Sequence, residues 1–465
     1  MKCAILFSLL ASSIFAAPVE VKVDFASPTG PVKPVNGVGQ PPILGWTDFH
    51  LFHYLKEAGI PYSRLHDVGG AFGKGVYVDI PNLFRDFDAD ETKEENYDFA
   101  FTDRLIKALV ENGVEPYFRL GVTIENRAWL RAYRIFPPKD YAKWARICEH
   151  VIRHYTEGWA KGFTYKITHW EIWNEPENSP NVNDNPMWRG TFSSFVDFYL
   201  VASRHLKAKF PHLMIGGYGN SGLYAHARMK APEGANVGKK TWHFIACFTN
   251  FLDRAEREKA PLDFFSWHTY GHPDGTRKMA EFARRELDRH GYAKTQISVN
   301  EWLPEPTPPK GTPGHPKLGT AHQAALIAAQ LVAFHDAPVD DAEIYDAKCA
   351  ANPYSPLFNP MTHQPYKAYK VFLAFNELRK LGTAVKVVAP QKGVWALAAV
   401  KGGDGAVLLV NISDGDAAVN LKAKGWAVES CLAIGEKHDY EAVSFGGTIA
   451  KDDVLLLKLK EARRK

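Results

Sequence analysis

Trp170-Glu171-Ile172-Trp173-Asn174-Glu175-Pro176-Glu177 is the stretch whose reading decides the fold. It begins as an apolar strand and stops at Pro176, whose ring fixes φ and removes a backbone donor. Asn174 and Glu175 therefore stand at the strand's carboxyl end. Gln296-Ile297-Ser298-Val299-Asn300-Glu301-Trp302 repeats the arrangement: a short apolar strand, then Asn-Glu, then an aromatic. A lone glutamate at a strand end is ordinarily a solvated loop residue. Two in one matched setting point to a paired site.

Outward from these two, short apolar runs alternate with helical periodicity. The strands read as Val35–Gly39, Tyr62–His66, Glu115–Leu120, Ile167–Trp173, Met214–Gly217, Phe264–Trp267, Gln296–Val299 and Asp341–Tyr345. Between them, Trp144, Ile147, Cys148, Val151, Ile152 and Tyr155 form one helical stripe at i, i+3, i+4 spacing. Phe101, Leu105, Ala108 and Leu109 form a second, stopped by Gly113, and Phe244, Cys247, Phe248, Phe251 and Leu252 a third. Eight strands alternating with helices predict an α/β chain built as a (β/α)8 TIM barrel over residues 35–381. In that fold reactive groups sit where strands end, and the two Asn-Glu pairs end the fourth and seventh strands.

Beyond Leu381 the helical pattern ceases. Val394–Val400, Val407–Asn411 and Val454–Leu459 read as strands separated by turns such as Lys401-Gly402-Gly403-Asp404-Gly405. An accessory C-terminal β-sandwich is expected over 382–465. Val19, Val21, Val23 and Phe25 alternate with Glu20, Lys22 and Asp24, so this lone amphipathic strand is expected to join that sandwich. Ser27 to Pro34 reads as a Pro/Gly linker, completing an N-terminal unit over 17–34.

The chain has 465 residues, 46% of them hydrophobic and 23% charged, enough apolar surface for a large core and too little charge for disorder. Its 56 basic and 52 acidic side chains leave a formal charge of +4, too mild and too evenly spread to imply nucleic acid or an anionic membrane. Lys2, the apolar run Ala4–Leu10 and the small residues Ala16 and Ala17 fit a signal peptide over 1–16, so a secreted or periplasmic protein is expected. Cys148, Cys247, Cys349 and Cys431 follow no zinc or redox spacing.

A carboxyl group fenced by Trp170 and Trp173 is expected to favour its protonated form, as a general acid requires. Two facing strand-end glutamates are what cleavage of a glycosidic bond needs: one protonates the leaving oxygen, the other attacks or activates water. With Trp-Asn-Glu-Pro, Glu301, Trp267-His268-Thr269-Tyr270 and Tyr62-Ser63-Arg64-Leu65-His66 in view, the chain resembles the glycoside hydrolases of clan A, family 39 within them. That resemblance implies an oligosaccharide or polysaccharide substrate, no cofactor and no metal. It implies Glu175 as acid/base and Glu301 as nucleophile. Arg64 would hold Glu301 ionised, Tyr270 would orient it, and Asn174 would donate to the sugar 2-hydroxyl. His66, His268, Trp302 and Tyr345 complete the expected substrate-binding set. Tyr345 stands where clan members commonly present Trp. The two histidines also read as satisfied core residues, and Arg64 as an internal ion pair. Glu171 reads as a possible interior acceptor and Glu177 as a loop residue.

Gly217-Tyr218-Gly219-Asn220-Ser221-Gly222 formally fits a dinucleotide fingerprint after a strand, but no acidic residue follows at the spacing a compact βαβ unit requires. His150 and His154 lie off the apolar stripe and read as solvated. The expected activity is that of a retaining exo-glycosidase, a β-xylosidase first. α-L-Arabinofuranosidase, β-galactosidase and α-L-iduronidase are the alternatives, and a non-catalytic carbohydrate-binding protein is the rival from another class. A uronic acid substrate would call for cations such as Arg119 and Arg127. Exo-action follows from long loops at Asp67–Asn96, Gly121–Lys139, Pro176–Gly190 and Tyr218–Lys240, with Pro304–Pro316 over the site.

Overall fold

The computed structural model describes residues 18–44, 49–68, 78–123, 135–228, 239–305, 318–389 and 393–462. The expected signal peptide, Arg127 and most of Pro304–Pro316 lie outside them. After β1 (Val19–Pro31), eight parallel strands close a barrel in chain order: β2 (Gly37–Gly39), β3 (Tyr62–Leu65), β4 (Glu115–Leu120), β5 (His169–Ile172), β6 (Met214–Asn220), β7 (Phe264–Thr269), β8 (Gln296–Trp302) and β9 (Asp341–Ile344). Pairing of Gly37 with Glu343 and of Val38 with Ile344 shuts the ring. These are the eight strands read from the sequence, with β6, β7 and β8 running further, to Asn220, Thr269 and Trp302, and β2, β3, β5 and β9 one to three residues shorter than read.

The helices are α1 (Phe52–Glu57), α2 (Ile80–Leu83), α3 (Ala100–Glu111), α4 (Tyr141–Thr156), α5 (Phe192–Lys209), α6 (Tyr224–Arg228), α7 (Lys239–Arg257), α8 (Pro273–Arg289), α9 (Ala321–Asp336) and α10 (Lys367–Leu381). Asp140 caps α4 by accepting from Lys143 N, and Thr191 caps α5 by accepting from Ser194 N, each satisfying an orphan donor of the first turn. The α4 stripe from Trp144 to Tyr155 is buried as its spacing predicts. His154 is a correction: it is 2% exposed, stacked on Phe99 at 3.6 Å, with Nε2 2.9 Å from Asp103. Its ring joins the aromatic packing beside the stripe, which the polar label of histidine concealed.

The second body is a nine-stranded sheet in the order β15-β14-β17-β12-β11-β10-β1-β13-β16, adding β10 (Thr383–Val388), β11 (Val394–Lys401), β12 (Asp404–Asn411), β13 (Ala417–Lys422), β14 (Trp426–Ile434), β15 (Asp439–Val443), β16 (Thr448–Ile449) and β17 (Val454–Glu461). β1 pairs antiparallel with β10 and parallel with β13. Ser27–Pro34, read as a linker, is strand as far as Pro31: Pro28, Gly30 and Pro31 stay in register with β10 through bulges that absorb the missing donors. The central strands are apolar on both faces because both are covered. Ala396, Ala398, Val407, Leu409, Leu455 and Leu457 pack with Val19, Val21 and Val23 in the sheet's own core. Leu397, Ala399, Leu408, Val410 and Leu456 instead join the barrel's core. Burial of each large aliphatic side chain contributes roughly 1.5–3 kcal/mol. α9 lies against both bodies and is buried nearly all round, which is why its sequence shows little amphipathic contrast.

Candidate active site

Strand alternation, twice interrupted, builds the site. In β5, Glu171 points into the barrel and the next inward position would be Trp173. Trp173 adopts φ 71°, and its indole lies outside the ring, 6.4 Å from Trp144, 5.1 Å from Trp188 and 5.5 Å from Phe198. Asn174 and Glu175 then take the mouth of the barrel. In β8 the register with β7 slips between the Ser266–Ser298 and His268–Glu301 pairs, one extra residue on the β8 side. Asn300 and Glu301 consequently both face inward, and Trp302 is thrown outward onto Phe334 of α9, ring centroids 5.1 Å apart.

Trp302 therefore packs in the core, fully buried, and is not among the groups facing a substrate. Nor do Trp170 and Trp173 fence Glu175: Trp170 stacks on Phe118 at 5.0 Å and donates to Ile167 O.

The remaining expected groups converge. Glu175 Oε1 lies 2.8 Å from His268 Nδ1, and its Oε2 accepts from Asn178 Nδ2 at 2.5 Å. Glu301 Oε1 accepts from the Tyr270 hydroxyl at 2.5 Å and Oε2 from Arg64 Nη1 at 3.0 Å. One atom each of Glu175, His268 and Glu301 lies within 4.8 Å of the others, so a carboxylate oxygen of each glutamate meets across the mouth. Among the described residues this trio is the one group of ligand-type side chains close enough to hold an ion. The carboxylate oxygens and His268 Nδ1 already have hydrogen-bond partners, leaving His268 Nε2 buried without one, and the Arg64 guanidinium at 3.0 Å disfavours a second cation there.

Charge follows from these contacts. Burial pushes the Glu175 carboxyl up, but the hydrogen bond and charge of His268, the bond from Asn178 and the charge of Arg64 outweigh it, and the net direction is down. Burial pulls His268 down, and the charges of Glu301 and Glu175 reverse it, so its net direction is up. The pair shares one proton, held on the imidazole. This overturns the expectation that the surroundings of Glu175 favour its protonated form, because the neighbour that decides is a histidine and not an indole. Burial and the Glu301 charge push the Tyr270 hydroxyl well up, so it remains a donor.

Arg64 is the hub. Its Nε donates to Glu171 Oε2 at 2.8 Å, Nη1 to Glu301 and Nη2 to Asn174 Oδ1 at 2.6 Å. The last bond fixes the amide of Asn174 with its NH2 free to turn toward the mouth. Gly219 closes the floor: at φ 64° its Cα sits where an added Cβ would lie 3.1 Å from Asn174 Oδ1, 3.2 Å from His268 Nε2 and 3.3 Å from Glu171 Oε1. The glycine run that mimicked a cofactor motif is the strand end that approaches these side chains.

His66 and Tyr345 form a side branch. His66 Nδ1 accepts from Arg119 Nε at 3.1 Å, which places the ring proton on Nε2, 3.2 Å from Asp67 Oδ1. Burial, then the charge of Arg119, keeps His66 well below its ordinary value and neutral. Tyr345 donates to Asp67 Oδ2 at 2.7 Å. Arg119 is fully buried and donates to Asp79 at 2.6 Å, so it is committed to this branch and does not reach out to a uronate.

Three residues carry more than the sequence suggested. Glu171 is fully buried and ion-paired. Glu177, read as a loop residue, is 1% exposed; its Oε1 accepts from Asn220 Nδ2 at 2.9 Å and Ser221 N at 2.7 Å, and burial pushes it up to about 8. It ties the Glu175 loop to the Gly219 strand end. Tyr354 stands 5.6 Å from both Tyr270 and Tyr345, half-buried at the mouth. Glutamates inside apolar strands signal internal partners, so Glu171 was findable; Glu177 and Tyr354 lie in loops and gave no such signal.

The family model described as glycosyl hydrolases family 39 matches residues 48–307, more than half of the chain. The chain belongs to that family. A β-xylosidase of Geobacillus stearothermophilus is 24% identical over 248 residues, which are 51% of this chain and 42% of that relative, so the match spans less than half of the relative's length. Among solved structures, a glucosidase from Croceicoccus marinus aligns with TM-score 0.71 at 19% identity, covering 96% of this chain and all 100% of that one. A GH39 enzyme from Xanthomonas axonopodis pv. citri aligns with TM-score 0.67 at 17% identity, covering 98% and 100%. A monomeric β-xylosidase from Caulobacter crescentus CB15 aligns with TM-score 0.64 at 16% identity, covering 95% and 99%. At these identities the likeness is one of fold: the family-39 barrel and its accompanying sheet.

Proposed function

We propose that this chain is a retaining exo-glycosidase working by double displacement, with Glu301 as nucleophile and Glu175 as acid/base, and that β-xylosides are its first substrates. The observation that carries the reading is the approach of the two carboxylates, one oxygen of each within 4.8 Å of the other. A retaining enzyme needs its carboxyl groups about 5–5.5 Å apart so that one reaches the anomeric carbon directly, whereas an inverting enzyme leaves room for water at about 6.5–9.5 Å.

Glu301, with a donor on each oxygen, is oriented to attack as a carboxylate. The proton that leaves with the aglycone comes from the His268–Glu175 pair: as the glycosidic oxygen reaches Glu175, His268 returns the proton it holds. Glu175 then takes a proton from water, which opens the glycosyl ester on Glu301. Asn174 is placed to donate to the 2-hydroxyl, and Tyr270 to keep Glu301 aimed. Tyr345 flanks the sugar, with His66 holding Asp67 beneath it. The β-xyloside assignment draws on the β-xylosidase relatives in sequence and structure. Export from the cytoplasm is proposed on the Lys2–Ala17 pattern alone.

A panel of nitrophenyl glycosides, assayed with wild type, Glu175→Gln and Glu301→Gln, tests this. Fastest turnover on the β-xyloside and its loss in Glu301→Gln are expected. Wild-type rates in Glu301→Gln reject the nucleophile, a different best glycoside replaces the sugar, and dominant internal cleavage of a xylan rejects exo-action.

A further inference from the structure

We infer that Glu171 is a positioning residue for the reaction, setting through Arg64 both the aim of the nucleophile and the amide that meets the 2-hydroxyl; this rests on the roles proposed for Glu175 and Glu301. Glu171 faces only protein. Ser266 Oγ and Asn300 Nδ2 donate to its Oε1 at 2.6 and 2.7 Å, and Arg64 Nε donates to its Oε2 at 2.8 Å. With both oxygens engaged on three sides, the carboxylate has one orientation, and it hands that orientation on. A guanidinium is planar and rigid, so fixing Nε fixes the directions of Nη1 and Nη2. Those two nitrogens reach acceptors on different segments: Glu301 Oε2 at the end of β8 and Asn174 Oδ1 beyond β5.

Two consequences follow. The first is geometric: a tilt of the guanidinium displaces the attacking carboxylate and turns the Asn174 amide together. The second is electrostatic. Arg64 faces two carboxylates, Glu171 and Glu301, both buried. Removing the charge of Glu171 leaves the full cation beside Glu301, which binds the carboxylate's electrons more tightly and makes it a poorer nucleophile. Neutralising a remote structural ion pair would lower stability without moving a pH profile. The two readings therefore separate in kinetics.

Glu171→Gln keeps the shape and removes the charge. The expected result is a kcat lower by about 100-fold, the scale of small misplacements and single preorganised donors, with KM within about threefold of wild type. The acidic limb of kcat/KM moves to lower pH. Glu171→Asp, which restores the charge, returns that limb to the wild-type position. Unchanged kcat and an unshifted limb in a folded Glu171→Gln overturn the inference, as does a loss confined to KM. Should Glu171→Gln fail to fold, Ser266→Ala decides: it removes one donor to Glu171 and changes no charge. A kcat about tenfold lower with an unmoved pH limb supports the inference, and wild-type kcat overturns it. Glu175→Gln and Glu301→Gln run alongside: if those stay active the underlying assignment fails, and if they are dead while Glu171→Gln is normal only the inference fails.

Discussion

Glu175 and Glu301 each follow an asparagine at the carboxyl end of a barrel strand, yet the groups around them differ in kind. Glu301 is held by Arg64 and Tyr270, a permanent cation and a phenol whose proton burial and charge keep in place. Neither partner gives up its proton near neutrality. Glu175 is held by His268 and Asn178, and the imidazole is a partner that can give its proton back. The same dipeptide thus occurs once beside partners that keep their protons and once beside a partner that can exchange one. Role follows from neighbours that lie far away in the chain.

The largest effect should come from the fixed side. Glu301→Gln is expected to lower kcat on any substrate by roughly 10^5-fold, since nothing else in the mouth can take the covalent step. Steady-state assay with active-site titration checks it; residual activity above about 1% would put the nucleophile elsewhere. Glu175→Gln comes next and depends on the leaving group. Turnover of alkyl or sugar aglycones should fall roughly 10^2- to 10^4-fold, while nitrophenyl glycosides, which leave unprotonated, lose far less in the first step. An equal loss on both would break the contrast between the two glutamates.

His268→Asn sharpens it. Without the imidazole, the carboxyl alone must hold the proton of the pair, with burial as the largest influence favouring its neutral form. In the wild type the alkaline limb of kcat/KM marks loss of the proton held on the imidazole, so in the variant it should move downward, and kcat should fall by roughly 10- to 100-fold, the scale of a lost charge-assisted hydrogen bond. An upward move would contradict the shared-proton arrangement.

The smallest effect on rate is expected at Glu177→Gln, and its signature is in stability. Glu177 binds its proton more tightly folded than unfolded, so its contribution is fully present below the unfolded carboxyl's titration near 4.5 and is lost as pH rises through about 8. Wild-type stability should decline across that window, and the variant should remove part of the decline, at most about 5 kcal/mol. Asp341 and Asp346, both pushed up by burial to about 7, keep some of the slope. Chemical denaturation of both proteins at pH 5 and pH 8.5 measures it.

The barrel was legible because a parallel strand covered on both faces writes a continuous apolar run, and eight such runs alternating with striped helices leave few alternatives. The same logic exposed β11, β12 and β17, whose second face lies against the barrel's helices. It missed β10 and β13 to β16, which are short or half-exposed and carry Lys, Glu and Asn among their apolar residues. At the site, residue type located Glu175, Glu301, Arg64, His268, Tyr270 and Asn174 at one mouth. Side-chain direction was not legible where alternation fails: the positive φ of Trp173 and the slip in β8 sent two tryptophans outward that strict alternation would not have. Environment was the least legible of all, since the proton on His268 and the burial of Glu177 depend on loops meeting in space.

The most direct measurement is capture of the glycosyl-enzyme. A 2-deoxy-2-fluoro glycoside of the preferred sugar, carrying a good leaving group, should inactivate the protein with a mass gain of one fluoroglycosyl unit, mapped by peptide sequencing to Glu301. An adduct on Glu175, or no adduct together with an inverted anomer as the first product, would contradict the account.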